Sequence, residues 1–532
     1  MVMCYIYWFK LMRGMMQSVT KNASFLMEYE PDKDGQLTIF EGLKGFSEVE
    51  RYWVNEPYAF IVILFGEKSN EYLYYAVEPT LSKFQKSLLE KIYEDLLDIL
   101  TLEEDKNKKD ILTQKVIEII TSYRLRLEPE TIHKLLYYIH RNYVGFKRID
   151  ALLRDDSIED ISCDGADVPI FLYHRRYQNI KTNICFKEKD LDSFIINLSQ
   201  RSGKHISIGN PLVNATMQDG SRLQASLGRE VTLRGGSFTI RKFREDPFTP
   251  IELMALNTFS IDAIVYLWLA IENNKSLIFV GGTASGKTSS LNAASLFIPP
   301  MSKIVTIEDT HELTLHHDNW IASITRDSFV KGGEGEIGMY ELLRQALRQR
   351  PEYMIVGEVR GAEALTLFQA MSTGHTTYST MHAGSVEEAI SRLENDPINV
   401  PRAMLQSLNI LSIQKMAYVD GERVRRSSSI VEVLGFEPGS DDLRINEVFS
   451  WNPVSDNFER PNDSIILKDI MEQRGWDWSQ LEAEMENRYR VIEYMVERDI
   501  KDYRGFSKII QSYFSSPETI LERIERGDNI LE

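Results

Sequence analysis

The chain of 532 residues is poor in cysteine, with only Cys4, Cys163 and Cys185, far apart in sequence. This spacing provides neither a disulfide framework nor a zinc-binding quartet, and it is typical of a reduced, cytosolic compartment. The sequence also lacks any apolar run of about 18 residues, the length a helix needs to cross a bilayer. Both absences favour a cytoplasmic protein with no membrane-spanning helix.

Basic residues are outnumbered: 61 lysines and arginines face 79 aspartates and glutamates, which gives a formal net charge of −18. Such a surface repels phosphate backbones, so we expect no nucleic-acid partner. Apolar residues make up 43% and charged residues 26%, the ordinary composition of a globular protein. The length is too great for one hydrophobic core, and about three domains are expected.

The first 16 residues are apolar but lack a basic leader and a small-residue cleavage site, so they do not predict a signal peptide. Two interpretations stay open. We favour a frayed or over-extended start of the chain; the alternative is a short segment that docks on a membrane surface or a partner.

Changes in composition predict the domain boundaries. The charged run at 103–110 ends a mixed α/β stretch, and short strands with Gly/Asp turns fill much of the chain up to the prolines Pro247 and Pro250. We therefore predict an N-terminal α/β domain (1–110), a second α+β domain (111–243), a linker or hinge (244–252), and a third domain (253–532) whose last part is charged and helical.

Short apolar runs alternate with helical segments in the third domain. These runs are "SLIFV" (276–280), "KIVTI" (303–307), "YMIVG" (353–357) and "TTYSTM" (376–381). Apolar runs of strand length separated by helices predict a mainly parallel sheet that is covered on both faces.

A phosphate-binding loop follows the first of these runs. The pattern G-x-x-x-x-G-K-[ST] is matched without a gap by Gly281, Gly282, Thr283, Ala284, Ser285, Gly286, Lys287 and Thr288, with Ser289 next in the predicted helix. The glycines let backbone N–H groups turn toward phosphates, and a helix N-terminus adds positive potential. Lys287 is expected to reach the β- and γ-phosphates of ATP, and Thr288 to hold Mg²⁺.

Acidic and histidine residues follow the other runs. Glu358 ends an apolar strand, where a carboxylate points into the ligand crevice of a parallel sheet and suits Mg²⁺ or the attacking water. Glu308, Asp309 and Glu312 lie close together after the preceding strand, and three such carboxylates need a cation or an arginine nearby. His375 and His382 bracket a strand, which is poor geometry for one shared metal, so hydrogen bonding to the γ-phosphate or the acidic loop is expected instead.

The phosphate loop, "IEDTHE", "GEVRGAEA" and "TGHTTYSTMHA", in this order, resemble the secretion-ATPase superfamily of type II and type IV machines. Residues 205–405 carry the strongest resemblance, closest to the archaeal motor and assembly ATPases of the archaellum. Two departures from the bacterial branch are the missing Cys₄ zinc insert and Gly361, which stands after Arg360 where an aspartate is usual.

The resemblance implies an α/β, RecA-like P-loop motor domain preceded by a smaller α+β (PAS-like) domain and an N-terminal α/β domain, six copies of which form a ring. It assigns Glu358 to positioning water and Mg²⁺, Glu308, Asp309 and Glu312 to an acidic box, and His375 and His382 to a histidine box. It also implies that N-terminal arginines, here Arg222 and Arg241, reach a nucleotide bound between subunits.

The function implied is an Mg²⁺-dependent ATPase at the inner face of the cell membrane. It would drive assembly or rotation of an archaellum through a polytopic platform protein, together with other cytosolic components of the filament machinery. An adhesive type IV pilus or a type II-like secretion system is the alternative, and a DNA-translocating conjugation-type ATPase is disfavoured by the acidic charge.

Overall fold

The computed structural model describes residues 29, 36–99, 108–125, 127–244, 246–326, 335–437 and 443–531. The chain divides into two compact units, Met1–Phe243 and Arg244–Glu532. The apolar opening at 1–16 and most of the charged run at 103–110 lie outside the described residues, so the predictions made for them stay predictions.

A nine-stranded sheet forms the frame of the first unit, in the spatial order β1-β2-β3-β6-β5-β4-β9-β8-β7. Its strands are β1 (Phe46–Asn55), β2 (Ala59–Gly66), β3 (Glu71–Val77), β4 (Ile158–Cys163), β5 (Pro169–His174), β6 (Gln178–Cys185), β7 (Leu212–Thr216), β8 (Arg222–Ser226) and β9 (Ser237–Arg241). β3 and β6 run parallel and the other neighbours antiparallel. β2 ("AFIVILFG") is buried along nearly its whole length, because apolar groups cover both of its faces.

The first unit's helices are α1 (Lys83–Ile99), α2 (Lys108–Ser122), α3 (Pro129–Tyr143), α4 (Asp150–Arg154) and α5 (Glu188–Arg201). α1, α2 and α3 share an apolar core of their own that includes Ile92, Val116 and Ile139, as expected of amphipathic helices that face one another. Strands that precede residue 110 and strands that follow it belong to one sheet. The domain boundary predicted at residue 110 stays a prediction.

The second unit contains another nine-stranded sheet, in the order β12-β11-β13-β14-β10-β15-β16-β17-β18. Its strands are β10 (Leu277–Gly281), β11 (Ile304–Glu308), β12 (Trp320–Ile324), β13 (Tyr353–Val359), β14 (Thr376–Met381), β15 (Ile410–Val419), β16 (Glu422–Phe436), β17 (Leu443–Asn452) and β18 (Asn457–Glu459). Strands β10 to β15 pair in parallel, and β15 to β18 pair antiparallel. The α/β class with a largely parallel sheet is confirmed, whereas β12 and the antiparallel extension were not predicted.

Helices cover both faces of this sheet. They are α6 (Pro250–Ala255), α7 (Ile261–Glu272), α8 (Lys287–Ser295), α9 (Met339–Ala346), α10 (Glu363–Ser372), α11 (Val386–Glu394), α12 (Arg402–Leu405), α13 (Ile465–Arg474), α14 (Trp478–Glu497), α15 (Tyr503–Ser515) and α16 (Pro517–Arg526). Two separate apolar cores result, one containing Phe279 of β10 and the other its neighbour Ile278. The two residues point to opposite faces, as alternation along a strand requires, so β10 is buried throughout.

An ion pair within the antiparallel extension is hydrogen-bonded to the loop between α6 and α7. Arg426 of β16 is 4% exposed, and its Nε and Nη2 donate to the two carboxylate oxygens of Asp456 at 2.7 and 2.8 Å. Trp451 Nε1 and Asn257 Nδ2 also donate to this carboxylate. The Arg426 guanidinium holds the pKa of Asp456 well below its usual range, with help from these two donors.

We expect Asp456→Asn to lower the free energy of unfolding by about 2 kcal/mol at pH 7, because a buried arginine loses its charged partner. The folded pKa of Asp456 is depressed, so its contribution is complete above the unfolded pKa of about 4 and declines as the pH falls toward the folded value. Urea unfolding of the unaltered protein and of Asp456→Asn at pH 7 and pH 3 measures the difference in their free energies of unfolding. A difference that is larger at pH 3 than at pH 7 would contradict a depressed pKa of Asp456.

Candidate functional site

The carboxyl ends of parallel strands meet at one edge of the second sheet. β10 lies between β14 and β15, and β13 lies on the far side of β14. Gly281, Glu308, Glu358 and His382 stand at or directly after the carboxyl ends of β10, β11, β13 and β14. This edge is where ligands bind in open α/β sheets, so the fold gathers most of the residues that the sequence singled out.

The glycine-rich loop makes a tight turn between β10 and α8. A Cβ on Gly281 would lie 2.4 Å from both the Gln414 carbonyl oxygen and Ser285 Oγ, so only glycine fits there. Ala284 and Gly286 have φ of +58° and +92°, the left-handed conformation that curls a backbone around an anion. Ser285 Oγ donates to the Gly282 carbonyl at 2.8 Å and closes the turn.

Lys287 is the first residue of α8 and is 7% exposed. Its Nζ donates to the Gly282 carbonyl at 2.8 Å, so the ammonium group lies beside the loop. Thr288 and Ser289 follow in the first turn of α8 and are half-buried. An ammonium group held next to the N-terminus of a helix is suited to a polyphosphate.

Glu358 and His382 form a pair at the ends of β13 and β14, with 3.1 Å between Glu358 Oε1 and His382 Nε2. Burial lowers the pKa of His382, the nearby Lys287 ammonium lowers it further, and Glu358 opposes both. His382 is therefore neutral at physiological pH. Glu358 and Lys287 therefore both lie close enough to His382 to shift its pKa. Such proximity is needed if the three side chains act on one phosphate.

Glu308, the last residue of β11, is 2% exposed. Its Oε1 accepts from the backbone N–H groups of Glu312 and Leu313 at 2.9 and 3.0 Å, which shapes the acidic loop. Burial raises the pKa of the Glu308 carboxyl, while the hydrogen bond to Glu308 raises the pKa of His311. A Cβ on Gly357 would lie 3.3 Å from Glu308 Cγ, so a residue larger than glycine at 357 would crowd the Glu308 side chain.

The other two members of the acidic box differ in their surroundings. Asp309 is bound by Arg360, whose Nη2 lies 2.5 Å from Asp309 Oδ2, so the arginine that follows β13 neutralises this carboxylate. Glu312 contributes its backbone N–H to Glu308 and is half-buried. Asp309 thus has a nearby arginine, which the sequence led us to expect beside a cluster of carboxylates.

Three of the predicted site residues do not belong to the carboxyl edge of the second sheet. His375 precedes β14 and His382 follows it, so the two histidines are at opposite ends of that strand, about 20 Å apart. Arg222 and Arg241 belong to the first unit, where they are directly opposite each other in the paired strands β8 and β9. Asp160 of β4 is opposite Arg241 on its other side.

Arg425 of β16 was missed by the sequence. Its Nε donates to the Ala284 carbonyl in the glycine-rich loop at 2.9 Å. No sequence signal pointed to it, because β16 itself was not predicted and 141 positions separate the two residues. Only the antiparallel pairing of β16 with β15, the neighbour of β10, brings the arginine to the loop.

The donor set at this edge suits Mg²⁺, which prefers oxygen ligands and is usually held by one or two carboxylates and the phosphates of its substrate. The Thr288 hydroxyl and the Glu358 carboxylate, at the ends of α8 and β13 that share this edge, are the oxygen donors that would hold it. Among the described residues, no group of three or more His, Cys, Asp and Glu side chains forms an all-protein metal site.

A glycine-rich loop between a buried parallel strand and a helix, with a lysine at the loop and a carboxylate on a nearby strand, defines a P-loop nucleotide-binding α/β protein. Comparison with protein families makes this more specific. Residues 202–435 match the model described as type II/IV secretion system protein. Residues 10–80 and 454–532 match models of PilB3-like N-terminal and C-terminal domains.

The chain is also similar to individual proteins. An uncharacterized protein of Methanocaldococcus jannaschii, MJ0900, is 35% identical over 491 residues, which are 87% of this chain and 88% of that protein. The type IV secretion system protein PtlH of Bordetella pertussis is 40% identical over 129 residues, 24% of this chain and 38% of that protein. Among solved structures, the Legionella pneumophila ATPase DotB is 19% identical with a TM-score of 0.38, covering 70% of this chain and 92% of its own.

The chain belongs to the type II/IV secretion system protein family, with PilB3-like domains at either end of the secretion domain. Membership implies nucleotide binding and relationship to secretion-system ATPases. None of the helices in the described ranges has the length and apolar character needed to cross a membrane.

Proposed function

We propose that this protein is a hexameric, Mg²⁺-dependent ATPase that converts hydrolysis into movements between its N-terminal part and its motor domain. The observation that carries the proposal is the arrangement at the carboxyl edge of the second sheet. There Lys287 lies beside the phosphate loop and Glu358 is paired with the neutral His382 at 3.1 Å. A steady-state assay of phosphate release from ATP by the purified full chain tests it.

The residues of the loop bind and orient the triphosphate. Backbone N–H groups of 281–286 and the ammonium group of Lys287 contact its phosphates, and the hydroxyl of Thr288 with the carboxylate of Glu358 would hold Mg²⁺. Mg²⁺, when bound, neutralises charge on the phosphates. Glu358 orients the attacking water and accepts its proton, and His382 fixes the rotamer of that carboxylate.

Charge that develops on the transferred phosphoryl group needs further positive partners, which we assign to Arg222 and Arg241 of a neighbouring copy. Their positions opposite each other on β8 and β9 present two guanidinium groups from one patch of the first unit. A site completed in trans makes hydrolysis depend on how subunits are arranged. The segment 244–252 would serve as the hinge between the two parts.

Arg222→Ala and Arg241→Ala should each lower turnover by about a hundredfold and leave nucleotide binding to the loop within about threefold. Phosphate release measured at saturating ATP, together with equilibrium binding of a fluorescent ADP analogue, separates the two effects. Arg229→Ala is the matched control, because Arg229 is an exposed arginine of the same unit that pairs with Glu188. Full activity in both variants would remove these arginines from the mechanism.

The machine driven is, in our proposal, an archaellum, whose filament the ring assembles or rotates through a polytopic platform protein and other cytosolic components of the machinery. The ring would be cytoplasmic and peripheral to the inner face of the cell membrane, with no nucleic-acid partner. The alternative is an adhesive type IV pilus or a type II-like secretion system, which the matches to PilB3-like domains keep open. A deletion strain that swims normally but lacks pili would decide for the alternative.

A further inference from the structure

The phosphate loop contains a residue in an unfavourable backbone conformation. Ala284 has φ of +58°, in the left-handed region that a residue with a Cβ adopts only when its surroundings hold it there. Its side chain is exposed, so packing of the Cβ does not provide the support. The support must act on the backbone of this residue.

Arg425 contacts that backbone. Its Nε donates to the Ala284 carbonyl at 2.9 Å, and its Cδ lies 3.5 Å from where a Cβ of Gly286 would be. The side chain thus lies against the loop at both of its residues with positive φ. A hydrogen bond from a charged donor is stronger than one between neutral groups, which suits it to fix a carbonyl orientation.

The arginine rests on a rigid support. β16 pairs with β15 along its whole first part, and Arg425 is opposite Met416. β15 in turn pairs with β10, where Gln414 is opposite Gly281, the residue at which the loop begins. Arg425 and Gly281 therefore belong to one sheet, so the distance between their backbones is set by strand pairing.

We propose that Arg425 is a positioning residue that holds Ala284 in the left-handed conformation and so keeps the phosphate loop in its binding shape before nucleotide arrives. The inference rests on the proposed function, since it takes nucleotide as the ligand of this loop. Preorganisation of this kind strengthens binding, because the cost of ordering the loop is met in the free protein. Arg425 acts through Ala284 and not by touching the phosphates.

A double-mutant cycle with Ala284→Gly tests this. Glycine adopts positive φ without penalty, so the loop of that variant needs less support from Arg425. We expect Arg425→Ala to weaken binding of a fluorescent ADP analogue about tenfold, roughly the effect of one charge-assisted hydrogen bond. Ala284→Gly alone should change binding by less than about threefold, and adding it to Arg425→Ala should restore most of the loss.

Arg423→Ala is the matched control and should bind normally. Arg423 lies two positions earlier on β16 and is exposed. Its side chain makes no hydrogen bond or ion pair with any residue that the structure describes. Arg425→Met keeps much of the apolar stem and removes the charge and the donor, and it replaces Arg425→Ala in the cycle if melting curves show that the alanine variant does not fold.

Two results would overturn the inference: normal binding by Arg425→Ala, or a loss that Ala284→Gly does not restore, which would mean direct contact with the nucleotide. Neither result affects the proposed function, which fails instead if the unaltered protein does not bind ATP or ADP in the presence of Mg²⁺.

Discussion

Lys287→Ala should abolish ATP hydrolysis, with a loss of at least about a hundredfold in turnover and a clear weakening of nucleotide binding. The ammonium group is buried beside the loop and donates to the Gly282 carbonyl at 2.8 Å. Lys287 is the first residue of the helix that follows this loop, so the variant removes the ammonium group at the place where the phosphates are expected to bind. Phosphate release and binding of a fluorescent ADP analogue, each with Mg²⁺, measure the two effects.

Lys303→Ala provides the comparison, since it removes the same charge at the amino end of β11, the opposite edge of the sheet. It should keep normal turnover and normal binding. If Lys287→Ala retained the activity of the unaltered protein, hydrolysis would take place elsewhere in the fold and the assignment of the loop would be wrong.

Glu358→Gln should separate binding from hydrolysis. The amide keeps the size of the side chain but cannot accept the proton of the attacking water, so turnover should fall by about a hundredfold or more. Nucleotide binding should change little, because Lys287 and the loop are unaltered and the amide keeps a carbonyl oxygen that can still serve as a ligand for Mg²⁺. The variant also removes the Glu358 carboxylate, which raises the pKa of His382, so that pKa should fall further, and NMR titration of the histidine ring can follow this.

Glu352→Gln is the control at the opposite end of the same strand, just before its first residue. Glu352 precedes β13 at its amino end and accepts a hydrogen bond from Ser302 Oγ at 3.1 Å, which glutamine can keep. Its turnover should match that of the unaltered protein. If Glu358→Gln hydrolysed ATP as fast as the unaltered protein, the general base would be another carboxylate. Glu312 on the acidic loop would then be the next residue to test.

The parallel core was predictable because its signals are local. Four of its strands, at 276–280, 303–307, 353–357 and 376–381, are short runs that alternate with helical segments, and this alternation indicates strands buried on both faces. β12, which lies between two of them, was not predicted. The strands β16 and β17 gave no comparable signal. β16 contains "ERVRRSSS", which is too polar for a buried strand by composition, and it forms because β15 offers it an unpaired edge.

The site also contains one part that was predictable from a local motif and another that depends on contacts between distant segments. Gly281 and Lys287 were identified because the chemistry of phosphate binding needs several residues at fixed spacing within one segment. The pairing of Glu358 with His382, and of Asp309 with Arg360, joins residues from different strands or loops. Composition and spacing could nominate these residues, but could not state which of them would meet.

The sequence by itself determined the class of protein, since a strand, a glycine-rich turn and a helix carry the phosphate-binding pattern within a dozen or so neighbouring positions. Tertiary structure alone decided that Glu358 pairs with His382 and that Arg425 contacts the loop at Ala284. The physical reason is that local conformation depends on neighbouring residues, whereas contacts between distant segments depend on the order in which strands pair.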